Sequence, residues 1–415
     1  MGALHRAVSG ACVAAIAMSC GHDWDALDPR GAATTSTGGA GGTTSTTSTG
    51  SGGEGATGAG GAGLGGHAGA GGAIPWFDDG LDRRRPLALA IPGGNETLAH
   101  FPVPVKLDPT RIDYAVTQSG GADLRFVADD QTTLLAHEIE AWNEGGDSLV
   151  WLDVPSLGAA PTTVWMYFGG APSSTQLPPA GVWANGFVAV WHLAGDLADA
   201  TGNGHDASAV GGVAAATGIL GGARAFDGDA DAIDVAASSD LDELFVTAGT
   251  VSVWVRATTS GELTRGRILD RSLDASFADG WSVLMSDFAT PDSLGFAHAF
   301  AGQFGWWTTP PSTASYGSWQ HFAISFGQAT GDPALYLDGA AVVPLVYQSP
   351  AGPPPPVTSV PSRLGGRANA FDRDYEGGLD ELRLSSGARS PAWIAAEVLG
   401  AQDQLVTVGG EETKP

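Results

Sequence analysis

Two groups of oxygen-bearing side chains in this sequence have the chemistry to bind a hard cation. Asp199, Asn203 and Asp206 lie in the glycine-rich stretch DATGNGHD, and Asp380 lies in the later stretch GGLDELRLS. Calcium binds through several oxygen ligands at once, often carboxylate and amide oxygens supplied by a loop and a neighbouring strand. The sequence therefore predicts a calcium site formed by Asp199, Asn203 and Asp380.

The same side chains have a second interpretation that involves no ion. Asp residues in turns commonly accept hydrogen bonds from nearby backbone N–H groups. A further acidic loop, FDGDADAID, contains Asp227, Asp229 and Asp231, but no Glu follows where an EF-hand loop requires one. For Asp199 and Asp380 the sequence leaves calcium binding and backbone capping both open.

A pair of adjacent aromatic residues is the second candidate site. Trp306 and Trp307 stand in GQFGWWTTPP, and neighbours in an extended segment point to opposite faces. One ring would then pack inward while the other offers a surface on which a sugar can stack. In the alternative, the loop containing Pro310 and Pro311 covers both rings. Trp306 and Trp307 are the predicted ligand-binding residues.

No pattern for catalysis stands out. The sequence contains no Gly-x-Ser-x-Gly, His-Glu-x-x-His or phosphate-binding loop. Glycoside hydrolysis needs two carboxylates facing one groove, and the nearest pair is Glu138 and Glu140 in HEIEAW. We interpret these two residues as members of cross-strand ion pairs. The prediction is a protein without catalytic residues.

The elements that would position these residues are short strands. From Trp76 onward, alternating apolar runs are separated by clusters of Gly, Pro, Asn and Asp, which is typical of all-β domains. In TVSVWVR the valines fall on one face of a strand, and in WQHFAISF the two phenylalanines and the isoleucine do the same. The fold class predicted is all-β, with two β-sandwich domains after a disordered linker.

The closing stretch predicts a strand over Leu379–Leu384 and then a helix that begins at Pro391, with Ser390 as its N-cap. Strict alternation places Asp380 on the same face as Leu382 and Leu384, where a carboxylate needs hydrogen bonds or a cation. A last strand is expected within residues 404–409, packed on one of the two sheets of the second domain.

Seven motifs in the second half resemble the laminin-G-like family of concanavalin A-like jelly rolls. In chain order they are AVWHL, DATGNGHD, ARAFDGDAD, TVSVWV, WQHFA, LYLDG and GGLDELR. The resemblance implies two curved antiparallel sheets packed as a jelly roll. It also implies non-catalytic binding of a carbohydrate or a surface protein, with a structural or adhesive role and a glycan-cleaving enzyme as the alternatives.

The first folded region resembles a bacterial domain of unknown function that occurs before laminin-G-like domains in surface proteins. The matching stretches are RRPL, FPVPV, ADLRF, HEIEAW, VWLDVP and MYFG. This resemblance implies a β-sandwich and no known chemistry.

The N-terminal residues have the pattern of an export signal. A basic start is followed by an apolar run that is too short to span a bilayer, and it ends in AMSC, which resembles a bacterial lipobox. Cys20 is therefore the predicted lipid attachment site, and an ordinary signal peptide is the alternative. Cys12 and Cys20 are the only cysteines, so the sequence predicts no disulfide framework in the folded part.

The predicted organisation is a signal peptide over residues 1–20, a disordered Gly/Ser/Thr-rich tether over 21–75, a β-sandwich over 76–180 and a jelly roll over 182–409. A net charge of −26 argues against nucleic acid as a partner. We expect an exported lipoprotein of the outer membrane or cell surface, or alternatively a periplasmic or secreted protein. Its only expected membrane contact is through the lipid.

Overall fold

In the computed structural model, the described residues are 74–415 except 273–278, 288–289, 301–302, 329–330, 351, 356, 358–359 and 371. The predicted signal peptide, Cys20 and almost all of the predicted tether lie outside them. The described residues belong to one compact unit, residues 72–415, and its regular structure is almost entirely β-strand, which confirms the all-β prediction.

The first half of this unit contains two antiparallel sheets. Their strands are β1 (Leu81–Leu89), β2 (Leu98–Leu107), β3 (Arg125–Ala128), β4 (Leu134–Leu135), β5 (His137–Ala141), β6 (Ser148–Leu157) and β7 (Thr162–Gly170). Strands β1, β7, β3 and β4 are neighbours in one sheet, and β2, β6 and β5 form the other. Alternate apolar residues of both sheets, such as Leu87 and Val103, meet in one buried core.

The second half contains two eight-stranded antiparallel sheets. The strands are β8 (Phe187–Trp191), β9 (Ala207–Val210), β10 (Ala214–Thr217), β11 (Gly222–Asp227), β12 (Ala232–Val235), β13 (Ala248–Ala257), β14 (Arg267–Ser272), β15 (Gly280–Asp287), β16 (Thr290–Phe300), β17 (Gln303–Thr308), β18 (Gln320–Gly327), β19 (Ala334–Leu337), β20 (Ala340–Val342), β21 (Leu345–Gln348), β22 (Ser362–Leu364) and β23 (Glu376–Ser385).

One of these sheets has the order β10-β11-β23-β13-β18-β19-β20, with β8 also paired to β23, and the other has the order β21-β17-β16-β15-β14-β22-β12-β9. Their inner faces form a second core that includes Trp191, Trp281 and Phe322. The predicted sandwich of two sheets is therefore confirmed.

Helices are few and short. The α-helices are α1 (Ser239–Asp242) and α2 (Pro391–Ala401), and the 3-10 turns are Tyr114–Val116, Ser119–Gly121, Pro179–Trp183 and Glu262–Thr264. Helix α2 begins as predicted, because Ser390 Oγ accepts a hydrogen bond from the Trp393 N–H at 3.2 Å. Within the described part of the chain, no helix has the length and apolar character to cross a bilayer.

The closing elements return to the first domain. Trp393 and Ile394 of α2 are buried in the first-domain core, which also takes in second-domain residues such as Trp254, and the Trp393 ring lies 4.8 Å from the ring of Phe101. The last strands, β24 (Val406–Val408) and β25 (Glu412–Thr413), both pair with β1. The prediction that the tail strand packs on a second-domain sheet is therefore wrong. The alternation of apolar residues predicts that a strand forms, but it does not predict which strand it pairs with. Helix α2 leads the chain back to the first domain, where the tail strands pair with β1.

Strand β23 departs from strict alternation. Leu379, Leu382 and Leu384 all face the second-domain core, and a register shift opposite Ser252–Trp254 marks a β-bulge between them. The bulged residue, Glu381, has a φ of 49°. The prediction that Asp380 shares a face with Leu382 is therefore wrong. The extra residue in the bulge places these two side chains on opposite faces of the strand, although they are two residues apart.

Because α2 belongs to the first-domain core, we expect the two domains to unfold together. Trp393→Ala should lower the free energy of unfolding by about 3–5 kcal/mol, since a large buried ring is lost. Calorimetry should show one transition at a lower temperature. Tyr347→Ala, at an exposed aromatic residue, is the control and should change stability by less than about 0.5 kcal/mol. Two transitions in Trp393→Ala, of which only the one for the first domain occurs at a lower temperature, would show that the domains unfold independently and would contradict this view.

Candidate functional site

The two domains meet at a group of buried charged side chains, which we call the junction cluster: Glu138, Glu140, His192, Glu381 and Arg383. The two first-domain carboxylates come from β5, where their i, i+2 spacing places them on one face. His192 directly follows β8, and the other two residues come from β23. Strand β8 pairs with β23, with Trp191 opposite Leu382, so His192 is held close to Glu381.

His192 lies at the centre of the junction cluster. Its Nδ1 lies 2.8 Å from Glu381 Oε1 and 3.4 Å from Glu140 Oε2, and its Nε2 lies 3.5 Å from Glu138 Oε2. One imidazole thus joins carboxylates of both domains. Trp151 stacks on the ring, with centroids 5.6 Å apart.

Arg383 and two indoles donate to oxygens of the same three carboxylates. Arg383 Nη2 donates to Glu381 Oε2 at 2.7 Å, and its guanidinium lies over the Trp151 ring at 4.6 Å. Trp151 Nε1 donates to Glu140 Oε2 at 2.8 Å, and Trp183 Nε1 donates to Glu138 Oε2 at 2.6 Å. Charged groups buried this deeply are tolerated only with such partners.

The network continues into helix α2 through Glu397. This carboxylate lies 3.6 Å from Arg383 Nη1 and 3.4 Å from His321 Nε2. Trp393 Nε1 donates to it at 3.3 Å. Polar contacts therefore run without a break from β5 of the first domain to the closing helix.

Burial and mutual charge displace the pKa values of the cluster. Burial, reinforced by the charge of Glu381, raises the pKa of Glu140 to about 8. Burial also opposes the charged forms of Glu381 and His192. For Glu381, however, the charges of His192 and Arg383 outweigh burial and lower the pKa, while the surrounding carboxylates raise the pKa of His192 well above its usual value.

A cleft of about 220 Å³ opens beside the cluster, and its lining includes Glu138, Glu140, His192 and Asp196. The side chains of Glu138 and His192 are 18% and 12% exposed, whereas those of Glu140 and Glu381 are 3% and 1% exposed. Only the outer edge of the cluster is therefore open to a molecule in the cleft.

The predicted cation ligands Asp199 and Asn203 form contacts within their own loop and with β8. Asp199 accepts hydrogen bonds from the N–H groups of Val190, Thr201 and His205 at 3.1–3.2 Å. Asn203 Nδ2 donates to the Val188 carbonyl at 2.9 Å. These contacts are those expected of backbone capping, and calcium binding at Asp199 remains a prediction.

Asp380 contacts a different segment. Its Oδ2 accepts hydrogen bonds from the Ile219 and Leu220 N–H groups at 2.7 and 3.1 Å, while no hydrogen-bond partner for Oδ1 is present among the described residues. Burial, followed by the charge of Glu381, raises the pKa of Asp380 well above its usual value. In the described contacts, the structure does not bring Asp380 together with Asp199 and Asn203.

Trp306 and Trp307 point to opposite faces as predicted, but both are buried. Trp307 belongs to the second-domain core, and Trp306 packs with Leu284, Ala297 and Phe304. The two residues are 6% and 1% exposed. Neither ring therefore offers the open face on which the predicted sugar stacking depends.

Sequence reasoning missed the junction cluster although every member lies in a stretch that carried a family resemblance. Glu138 and Glu140 lie in HEIEAW, His192 in AVWHL, and Glu381 and Arg383 in GGLDELR. The sequence feature that could have indicated the cluster is an ionisable residue within an otherwise apolar motif, and such a motif occurs in each domain. Glu138 and Glu140 do form ion pairs, but their partner is His192 of the other domain.

The family comparisons match both domains. Residues 227–395 match the family described as the concanavalin A-like lectin/glucanases superfamily, and residues 120–183 match a domain of unknown function, DUF2341. The chain thus carries a concanavalin A-like domain preceded by a DUF2341 domain. A search of curated proteins finds no match.

Solved structures with a similar arrangement include bacterial toxin domains. The binding domain of Paraclostridial Mosquitocidal Protein 1 is 16% identical, with a TM-score of 0.42 over 51% of this chain and 52% of that chain. The botulinum neurotoxin serotype D binding domain is 13% identical, with a TM-score of 0.42 over 52% of each chain. This chain therefore spans about half the length of these toxin domains.

A third similar structure is domain 4 of AbnA, a GH43 extracellular arabinanase from Geobacillus stearothermophilus, in complex with arabinotriose. It is 21% identical, with a TM-score of 0.35 over 51% of this chain and 97% of that chain.

The contacts of Asp199 lead to a stability prediction. Asp199→Ala should lower the free energy of unfolding by about 2–3 kcal/mol, because three backbone N–H groups lose their acceptor. Denaturant unfolding in the presence of a chelator measures this loss. Asp196→Ala, in the same loop, is the matched control and should have little effect, since the exposed Asp196 accepts from a single N–H. If Asp199→Ala is less stable than the wild type only when calcium is added, Asp199 is instead a calcium ligand.

The junction cluster predicts a pH dependence of stability. Glu140 and His192 both hold their protons more tightly in the folded protein, so their stabilising contribution is complete at low pH and is lost as pH rises. For Glu140 the loss extends from about pH 4.5 to about 8, and for His192 it begins near pH 6.5 and continues upward.

Glu140→Gln, which mimics the protonated carboxyl, should therefore lose less free energy of unfolding between pH 5 and 8 than the wild type, by about 2 kcal/mol or more. Chemical denaturation across this range with a chelator present measures the difference. Glu144→Gln, at an exposed residue in the next loop, should follow the wild-type curve. Parallel curves for Glu140→Gln and wild type would show that Glu140 does not carry this dependence.

Proposed function

We propose that this protein is a non-catalytic binding protein whose concanavalin A-like domain recognises a surface protein or a carbohydrate. The proposal includes export and display at the cell surface through a lipid on Cys20 and the Gly/Ser/Thr-rich tether. It also retains calcium as a candidate cofactor, with Asp199 and Asn203 as the candidate ligands, because Asp380 contacts a different segment. The match of residues 227–395 to a superfamily that contains lectins supports a binding role.

One feature of the second domain carries the proposal. Half of the large apolar side chains that are exposed in the described part of the chain lie within residues 343–347. They are Val343, Leu345, Val346 and Tyr347, which are 84%, 41%, 47% and 46% exposed. Apolar side chains gathered in this way on a soluble domain mark an interaction surface.

The position of this surface indicates the kind of partner. Strand β21 is the edge of its sheet, and among the described residues it pairs on one side only, with β17. An edge strand presents backbone N–H and C=O groups that an extended segment of another protein can pair with, while apolar side chains supply specificity. The net charge of −26 favours a segment with basic flanks. In the second form of the proposal, the ligand is a carbohydrate, and one of its sugar rings stacks on the exposed side chain of Tyr347.

Glycan cleavage is the alternative that one observation favours. Glu140 and Glu381 have pKa values displaced in opposite directions, which is the pattern of an acid and a base that share a site. Both side chains are at most 3% exposed, however, so a sugar has no path to them. Their pairing with His192 and the indoles accounts for the same pKa shifts without a reaction.

Screening the protein against a displayed peptide library and a glycan array tests the proposal. Ligands selected by the wild type should bind Val346→Asp at least tenfold more weakly, because a charge then replaces an apolar contact on the edge strand. Leu263→Asp is the matched control, since Leu263 is 63% exposed but lies elsewhere, and it should bind like the wild type. Ligands that bind both variants equally, or no saturable ligand in either library, would leave a structural or adhesive role as the better account.

A further inference from the structure

The centre of the junction cluster has the composition of a transition-metal site. Glu140, His192 and Glu381 each direct one ligand atom to a common region, and these atoms all lie within 4.8 Å of one another. Among the described residues, they are the one group of three or more His, Cys, Asp or Glu side chains that meets this condition. One nitrogen and two carboxylate oxygens is a donor set that suits zinc, whereas calcium prefers oxygen alone.

The spacing of the donors fits a tetrahedral ion. Zinc–ligand bonds of about 2.0–2.1 Å place neighbouring ligand atoms roughly 3.3 Å apart in a tetrahedron. His192 Nδ1 lies 3.4 Å from Glu140 Oε2, which already has this spacing. Its 2.8 Å separation from Glu381 Oε1 is that of a shared proton, and replacing the proton by an ion requires a small outward shift of the Glu381 carboxylate.

The second nitrogen of His192 faces a carboxylate. A metal-bound histidine usually donates its other ring N–H to a carboxylate, which fixes the tautomer. His192 Nε2 lies 3.5 Å from Glu138 Oε2, and that carboxylate is held by the Trp183 indole. Nε2 forms no hydrogen bond at this distance, so the imidazole must move slightly toward Glu138 for this carboxylate to become its supporting acceptor.

Unpartnered buried acceptors add a second, independent observation. Glu140 Oε1 and Asp380 Oδ1 have no hydrogen-bond partner among the described residues, although the Glu140 side chain is 3% exposed and Asp380 is 0% exposed. Three carboxylates, those of Glu138, Glu140 and Glu381, surround the single imidazole of His192. A divalent cation beside Glu140 would give the unpartnered oxygen of this carboxylate an electrostatic partner.

We propose that Glu140, His192 and Glu381 bind one divalent transition-metal ion, best matched by zinc, across the junction of the two domains. The cleft lined by Glu138, Glu140 and His192 lies beside this site. Because one ligand comes from the first domain and two from the second, the ion fastens the domains to each other. Binding displaces the protons that the site otherwise holds.

Calorimetric titration of the chelator-treated full-length protein with zinc chloride tests the site. One ion should bind per chain and raise the unfolding temperature, and cobalt(II) in its place should give the visible absorption of a tetrahedral complex. Glu140→Gln should weaken zinc binding at least tenfold and abolish the cobalt spectrum, because an amide is a poor substitute for a carboxylate ligand.

Two further variants keep the result interpretable. His192→Gln should have the same effect as Glu140→Gln, and if it fails to fold, the isosteric Glu140 variant still decides the question. His205→Gln is the matched control, because His205 forms a histidine–carboxylate pair with Asp240 outside the cluster, at 2.7 Å, and should bind zinc like the wild type. The proposal is overturned if no saturable one-to-one binding occurs, or if Glu140→Gln binds zinc with unchanged affinity.

Discussion

The structure depends on the requirement that buried charges be paired. Glu381 and Arg383 point away from the second-domain core, and neither side chain would have its present surroundings without Trp151 and Glu140 of the first domain. Conversely, Glu140 is enclosed in part by His192 of the second domain. Separating the domains would leave these charges with fewer partners, and removing one member of a buried pair is strongly destabilising. This reciprocal need specifies how the two sandwiches meet.

Two features of the closing segment make the arrangement possible. The bulge at Glu381 allows Leu379 and Leu382 to face the same core while Asp380 and Glu381 are both directed to the junction, which a regular strand could not do. Helix α2 then brings Trp393 into the first-domain core, and β24 pairs with β1. The last two strands and α2 thus complete the first domain, and the edge strand β21 pairs with β17 in the second-domain sheet that does not contain β23.

Local features were predictable from the sequence, whereas contacts between distant segments were not. Period-two alternation indicated strands such as β13 and β18, and the Ser390–Pro391 pair indicated where α2 begins, because both signals are contained in a few consecutive residues. The bulge at Glu381 gives no such signal, since it arises from pairing with β13. The partner of β24 and the burial of Trp306 likewise depend on chain segments far away in sequence. For Glu140 and His192, each motif was assigned to its own domain, and neither domain alone reveals that the two meet.

A double-mutant cycle between Glu140 and His192 tests the central claim, that the junction cluster couples the two domains. Free energies of unfolding are measured for the wild type, Glu140→Gln, His192→Gln and the double variant, all with a chelator at one pH. The predicted result is an interaction energy of at least about 1 kcal/mol, with the double variant less destabilised than the sum of the single variants. Additive losses would contradict the claim, because they would show that the two side chains contribute to their own domains independently.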